Sequence, residues 1–139
     1  MISLTAEYAL RVVVCLAKRK AESLTTEEIA KQTKVPLGYL AKIMQILRNA
    51  ELVQSRRGLH GGFALKENPE RLTVWDVINA VAPLKRIRHC PLGLAAHDTK
   101  LCDLHQQLDD VQAQAEKAFR SLTIASLLVS SNPSVPLGL

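Results

Sequence analysis

Residues 29–65 read IAKQTKVPLGYLAKIMQILRNAELVQSRRGLHGGFAL, and this stretch decides the fold. A short helical run ends near Thr33. A tight connection, KVPLGY, follows, with Pro36 placed where proline suits the first turn of a new helix. The next run sets Leu40, Ile43, Met44 and Leu47 at the spacing of one helical face. Gly38, Tyr39, Lys42, Gln45 and Arg48 occupy the other face. Two short helices joined by a tight turn, the second with a polar and basic face, form the helix-turn-helix layout. A helical hairpin packed inside a core leaves that outer face unexplained.

The end of the stretch adds a second element. LVQS and FAL read as short strands around a glycine-rich turn. Gly58, Gly61 and Gly62 permit positive φ and close backbone approach. Arg56 and Arg57 precede the turn and His60 lies in it. A hairpin with arginines at its base suits phosphates or a minor groove. Directly after a helix-turn-helix it reads as a wing. The candidate DNA-contacting residues are therefore Gly38, Tyr39, Lys42, Gln45 and Arg48 on the helix, and Arg56, Arg57, His60 and Gly61 on the wing.

The flanks extend this core. Residues 4–19 put Ala6, Ala9, Leu10, Val13, Val14 and Ala17 on one helical face. Cys15, on the same apolar helix, reads as a small buried hydrophobe. Thr25 with Glu28 three residues on predicts a capping box for the second helix. LTVWDVINAVAP predicts a fourth helix capped by Thr73, with Asp76 third in its first turn. Val74, Val77, Ile78 and Val81 face inward, Trp75 is a packing residue, and Pro83 ends the helix. From Leu104 the pattern changes again. Leu104, Val111, Ala118 and Ala125 recur at seven, as do Leu108, Ala115, Leu122 and Val129. Together they predict one long helix with a coiled-coil seam. The chain is too short to bury that seam on itself, so a second copy is expected to cover it.

Charge divides the chain in the same way. Residues 1–89 hold 15 Lys/Arg against 8 Asp/Glu, and residues 90–139 hold 3 against 5. The basic part is the candidate nucleic-acid face. Aromatic residues make up only 4%, which argues against stacking on single strands. No apolar run reaches the length of a membrane span. Basic residues follow the apolar N-terminal stretch, the reverse of a secretion signal, so a cytoplasmic location is expected.

The segment CPLGLAAHDTKLCDLH, residues 90–105, concentrates soft ligands. Cys102 and His105 are spaced to reach one ion, and Cys90 lies twelve residues earlier. Zinc through Cys90, His97, Cys102 and His105 is one reading, although Cys-x6-His-x4-Cys-x2-His is not a common finger spacing. A Cys90–Cys102 disulfide switch is another, and a loop that binds nothing is a third. An enzyme would need Cys102 as nucleophile and His105 as base. No oxyanion donor or orienting partner is visible and the basic helix-turn-helix would have no task, so a non-enzyme is expected.

The pieces LTAEYALR, IAKQTKVPLGYLAKIMQIL, SRRGLHGGFAL and LTVWDVINAV, in this order, resemble the Rrf-two family of bacterial winged-helix regulators. The likeness covers residues 1 to about 128. It implies a homodimer on double-stranded DNA, most simply a repressor, with a recognition helix for the major groove and a wing for the minor groove. In cluster-binding members a cysteine-rich loop before the dimer helix holds an iron–sulfur cluster. Carried over, Cys90, Cys102 and His105 with Glu7 of the partner subunit would hold a [2Fe-2S] cluster sensing redox, iron–sulfur or nitric oxide status. The middle cysteine of such loops falls near Ala96 here, beside His97. The recognition helix also lacks the glutamate that some members carry after the Tyr-Leu pair, so base preference is not transferable. The expected fold class is mainly α with a small β-hairpin wing. Its parts are a winged helix-turn-helix domain over 1–83, a cysteine-bearing sensor loop over 84–103, a dimerisation helix over 104–130 and a flexible tail over 131–139. The alternative is a regulator or interaction module without metal, controlled by a protein or small-molecule partner.

Overall fold

The computed structural model describes residues 2–97 and 99–129. The tail expected over 131–139 lies outside them. Helix α1 (Leu4–Lys18) is the centre of the core, buried nearly all round: Ala6, Ala9, Val12, Val13 and Val14 are inaccessible to solvent. Ser3 caps it, accepting from the Ala6 N–H at 3.2 Å.

Helix α2 (Thr26–Thr33) begins with the expected capping box. The Thr25 N–H donates to Glu28 at 2.8 Å, and Thr25 Oγ1 accepts from the Glu28 N–H at 3.3 Å. The helix stops where Lys34 turns left-handed at φ 59°, its N–H closing on the Ala30 carbonyl. Val35 is buried in this turn, and Thr33 Oγ1 accepts from the Val35 N–H. Pro36 then opens α3 (Leu37–Asn49). The four inward residues predicted for α3, Leu40, Ile43, Met44 and Leu47, are its buried ones.

Strands β1 (Val53–Arg56) and β2 (Gly62–Leu65) pair antiparallel, Val53 opposite Leu65 and Arg56 opposite Gly62. The first strand sits one residue closer to the turn than the sequence pattern placed it, and the second begins one residue earlier and ends where expected. Leu24 exchanges two backbone hydrogen bonds with Phe63, at 2.9 and 2.7 Å. This single-residue bridge fastens the hairpin to the α1–α2 connection and has no sequence signature. Helix α4 (Val74–Val81) has the predicted Thr73–Asp76 capping box. Trp75 is a packing residue, buried under the Arg120 guanidinium 4.8 Å from its ring centre.

The single helix expected over 104–130 is corrected. It is two helices, α5 (Asp103–Ser121) and α6 (Ile124–Leu128). Leu122 turns extended, at φ −100° and ψ 113°, and its carbonyl accepts the Val74 N–H at 2.8 Å. Thr123 bridges Thr73, the Ile124 N–H reaches the Leu72 carbonyl, and the Ile124 side chain is fully buried in the core. Core burial of one isoleucine is worth about 1.5–3 kcal/mol, more than one further turn of exposed amphipathic helix gains. Ala125 and Val129 therefore leave the seam. Along α5, Leu104, Leu108 and Val111 remain exposed at heptad spacing, at 65%, 46% and 52%.

Candidate nucleic-acid interface and Cys/His loop

The outer face of α3 carries Gly38, Tyr39, Lys42, Gln45 and Arg48, all exposed. Its inner residues pin the helix, so these side chains stand on a rigid support. The Tyr39 ring meets Tyr8 of α1 edge to face, centroids 5.8 Å apart, in the arrangement the ring quadrupoles favour. Tyr8 is thus a positioning residue for this face that the sequence pattern did not single out. Between α3 and the hairpin lies a cleft of about 240 Å³ lined by Thr26, Ala41, Met44, Gln45, Arg48 and Phe63. It brings Gln45 and Arg48 beside the wing.

The wing presents Arg56, Arg57, Leu59 and His60 to solvent, with Gly61 half-buried behind them. Two glycines are dictated by sterics. A Cβ on Gly61 would lie 2.7 Å from the Arg56 carbonyl oxygen, and one on Gly62, at φ 140°, 2.4 Å from that of Leu24. The Gly61 N–H donates to the Gly58 carbonyl at 2.9 Å and closes the tip. Arg56, Leu59, His60 and Gly61 line a second cleft together with Leu24, Glu22 and Glu28 of the α1–α2 region.

The segment after α4 is fastened by a pair absent from the sequence reading. Arg86 donates to Asp109 from Nε at 2.7 Å and from Nη2 at 2.5 Å, and the Ile87 N–H adds a third hydrogen bond at 2.8 Å. Asp109 is buried. The Arg86 hydrogen bonds, helped by the Ile87 N–H, hold its pKa down to about 2 against the opposing effect of burial.

Beyond this anchor the four soft ligands form two pairs. Cys90 Sγ lies 3.6 Å from His97 Nδ1, and Cys102 Sγ lies 3.3 Å from His105 Nδ1. Cys102 occupies the N-cap position of α5, so His105 sits one turn along the same helix. The Cys90 thiol is pushed below its ordinary value, chiefly by the Leu94 backbone N–H and then by His97. Among the described residues no three His, Cys, Asp or Glu side chains gather as a metal shell. The structure thus joins Cys90 with His97 and Cys102 with His105, and does not bring Cys90, Cys102 and His105 to one point. Glu7 is salt-bridged to Arg11 of its own helix at 3.4 Å. Cys15 is buried, its Sγ 3.5 Å from Gln32 Oε1, and burial raises its pKa.

No helix among the described residues is long and apolar enough to cross a membrane. Comparison with known proteins agrees with the winged architecture. The fold is similar to T. potens IscR, with a TM-score of 0.76 and 22% identity over 92% of this chain and 85% of that one. It is equally similar to CymR, the global cysteine regulator of B. subtilis, with a TM-score of 0.75 and 24% identity over 91% and 95%. An Aquifex aeolicus protein described as an HTH-type transcriptional regulator is 31% identical over 127 residues, 89% of this chain and 88% of that protein. Residues 2–130 match the Rrf2 family, described as an iron-dependent transcriptional regulator. With a helix pair whose second helix has a basic outer face, a wing after it, and relatives that are transcriptional regulators and not enzymes, the chain belongs to the Rrf2 family of helix-turn-helix transcriptional regulators.

Proposed function

We propose that the chain acts as a homodimer that represses transcription by occupying a two-fold DNA operator, and that the Cys/His loop tunes this occupancy. One observation carries the DNA-reading part: Gly38, Tyr39, Lys42, Gln45 and Arg48 are exposed on a helix whose other face is locked in the core, and the hairpin that follows it exposes Arg56, Arg57 and His60, with Gly61 half-buried behind them. In this reading α3 enters the major groove, while the wing arginines meet phosphates or the minor groove. Residues 1–83 form the DNA-binding unit, 84–103 the sensor segment and α5 the dimer helix. Support for the dimer is the exposed Leu104, Leu108 and Val111 stripe, which costs free energy in water until a second copy covers it.

The loop donors suit soft metals in kind, but their arrangement in one chain does not fit a cluster. Iron–sulfur clusters are held mostly by thiolates, and here each thiol faces its own imidazole. The [2Fe-2S] shell of Cys90, Cys102, His105 and the partner subunit's Glu7 would require both pairs to break and Glu7 to leave Arg11. The two pairs favour thiol chemistry, or zinc held by Cys90, His97, Cys102 and His105 once the loop closes.

The test combines light scattering with duplex binding. The wild-type protein elutes as a dimer and binds a duplex selected from a randomised pool, with half-sites about 34–36 Å apart and a steep salt dependence. Leu108→Glu and Val111→Glu yield folded monomers with weak binding. A wild-type monomer that binds no duplex at low salt overturns the proposal. Metal analysis of protein purified without oxygen separates iron, zinc and neither.

A further inference from the structure

The tip of the wing carries a feature that its basic residues do not explain. Leu59 is 96% exposed, and among the described residues 53–65 no other large apolar side chain is strongly exposed. The tip is also held in shape. Gly61 closes on Gly58, and Gly61 and Gly62 press against the carbonyls of Arg56 and Leu24, where a Cβ has no room. The Leu24–Phe63 bridge ties this turn to the body. A leucine held rigidly at the apex of a hairpin gains nothing in the free protein.

We propose that Leu59 is a wedge that enters the minor groove of the operator and unstacks a base step there. The inference rests on the DNA-binding reading of the wing. Charge selects the occupant. Arg56 and Arg57 precede Leu59, His60 follows it, and residues 52–66 contain no acidic side chain. Glu22 and Glu28 line the cleft beside the tip but belong to the body, so the hairpin's own charge is positive and suits a polyanion. The lack of an apolar patch around Leu59 on the hairpin favours DNA over a protein partner or a second copy. A specific protein interface needs about 800 Å² per side, and one isolated leucine supplies a small fraction of that. A wedge needs a single apolar side chain flanked by cations that hold the backbone on either side. On this account the arginines hold the hairpin against the phosphates, and Leu59 selects steps that unstack at low cost, such as TA or CA/TG.

The experiment uses the full chain and a duplex selected by the wild-type protein from a randomised pool. 2-Aminopurine is placed at successive positions of each half-site. Wild-type protein raises the fluorescence at one step per half-site, the signature of unstacking. Leu59→Ala abolishes that rise at saturating protein, weakens binding several-fold and relaxes preference at that step. Arg57→Ala weakens binding but keeps the rise at saturation. Because Leu59 is 96% exposed, Leu59→Ala melts with wild-type protein. Wild-type binding without unstacking at any step overturns the wedge alone. Equal affinity and fluorescence for Leu59→Ala does the same, as does a change in its self-association. Failure of wild-type protein to bind any duplex overturns the wedge together with the DNA-reading role of the wing.

Discussion

Arg86 grips Asp109 with two parallel hydrogen bonds across 23 residues of sequence, and so ties the approach to the Cys/His loop onto α5. Asp109 also accepts from the Ile87 N–H, so one buried carboxylate satisfies a side chain and the backbone together. Such a charge-assisted, bidentate arrangement is stronger than a neutral hydrogen bond. It fixes where the loop begins relative to the helix on which Cys102 and His105 stand.

Removing that carboxylate should free the loop. Asp109→Asn lowers the melting temperature by several degrees at neutral pH, and hydrogen exchange at the Ile87 amide accelerates. The pH dependence follows from the depressed pKa. Asp109 titrates near 2 in the folded chain and near 3.9 when unfolded. Its stabilisation is fully present above about pH 4 and is lost as pH falls from there toward about 2. The gap in melting temperature between wild type and Asp109→Asn should therefore narrow between pH 4 and pH 2. A gap that stays constant over that interval would show that the carboxylate is not held by Arg86.

On DNA the two halves of the interface should separate by mutation. Arg57→Ala removes a wing cation, so binding weakens for all sequences alike and the salt slope falls by about one. Gln45→Ala removes an amide from the helix face, so preference changes at particular operator positions, by about 1–3 kcal/mol per affected base pair. Binding of the wild-type and variant proteins to a library of operator variants at two salt concentrations distinguishes these outcomes. Uniform loss for both variants would remove base readout from α3.

The thiols should differ in reactivity. Backbone N–H groups and His97 lower the Cys90 pKa, so its thiolate forms at lower pH than that of a free cysteine, and it is the thiolate that reacts. Cys90 should be alkylated by iodoacetamide at neutral pH, while Cys15, buried and shifted upward, should react only on unfolding. His97→Ala moves the Cys90 pH profile upward and slows its alkylation at pH 7. Site-resolved mass spectrometry reads both thiols in one sample. An unchanged profile in His97→Ala would mean that the imidazole does not stabilise the thiolate.

What the sequence made legible was local. Thr25 with Glu28 and Thr73 with Asp76 announce helix starts because both partners of each cap lie within one turn, and the inner face of α3 is visible in its periodicity. The Arg86–Asp109 pair and the Leu24–Phe63 bridge join residues far apart in the chain, and nothing beside either partner marks them. The Cys/His loop was visible as a composition, but its division into two pairs is set by loop geometry. The α5 seam misled because heptad spacing continues through residues that fold back. The residues at the break are Ser121, Leu122 and Thr123, and Thr123 is itself an N-cap that accepts from the Ser126 N–H at 3.1 Å.

That break makes the last prediction. If α6 is part of the core, Ile124 carries stability and Val129 does not. Ile124 is fully buried, whereas Val129 is 82% exposed. Ile124→Ala leaves a cavity and should cost about 2–5 kcal/mol, measured by urea unfolding. Val129→Ala should stay within about 0.5 kcal/mol and leave the dimer intact. A helix unbroken to residue 130 requires the reverse, with Val129 at the seam and Ile124 off it. Thr123→Ala separates the cap from the core: it removes the hydroxyl that starts α6 and should cost about 0.5–2 kcal/mol. If instead Val129→Ala dissociates the dimer while Ile124→Ala is silent, α5 and α6 are one helix in solution.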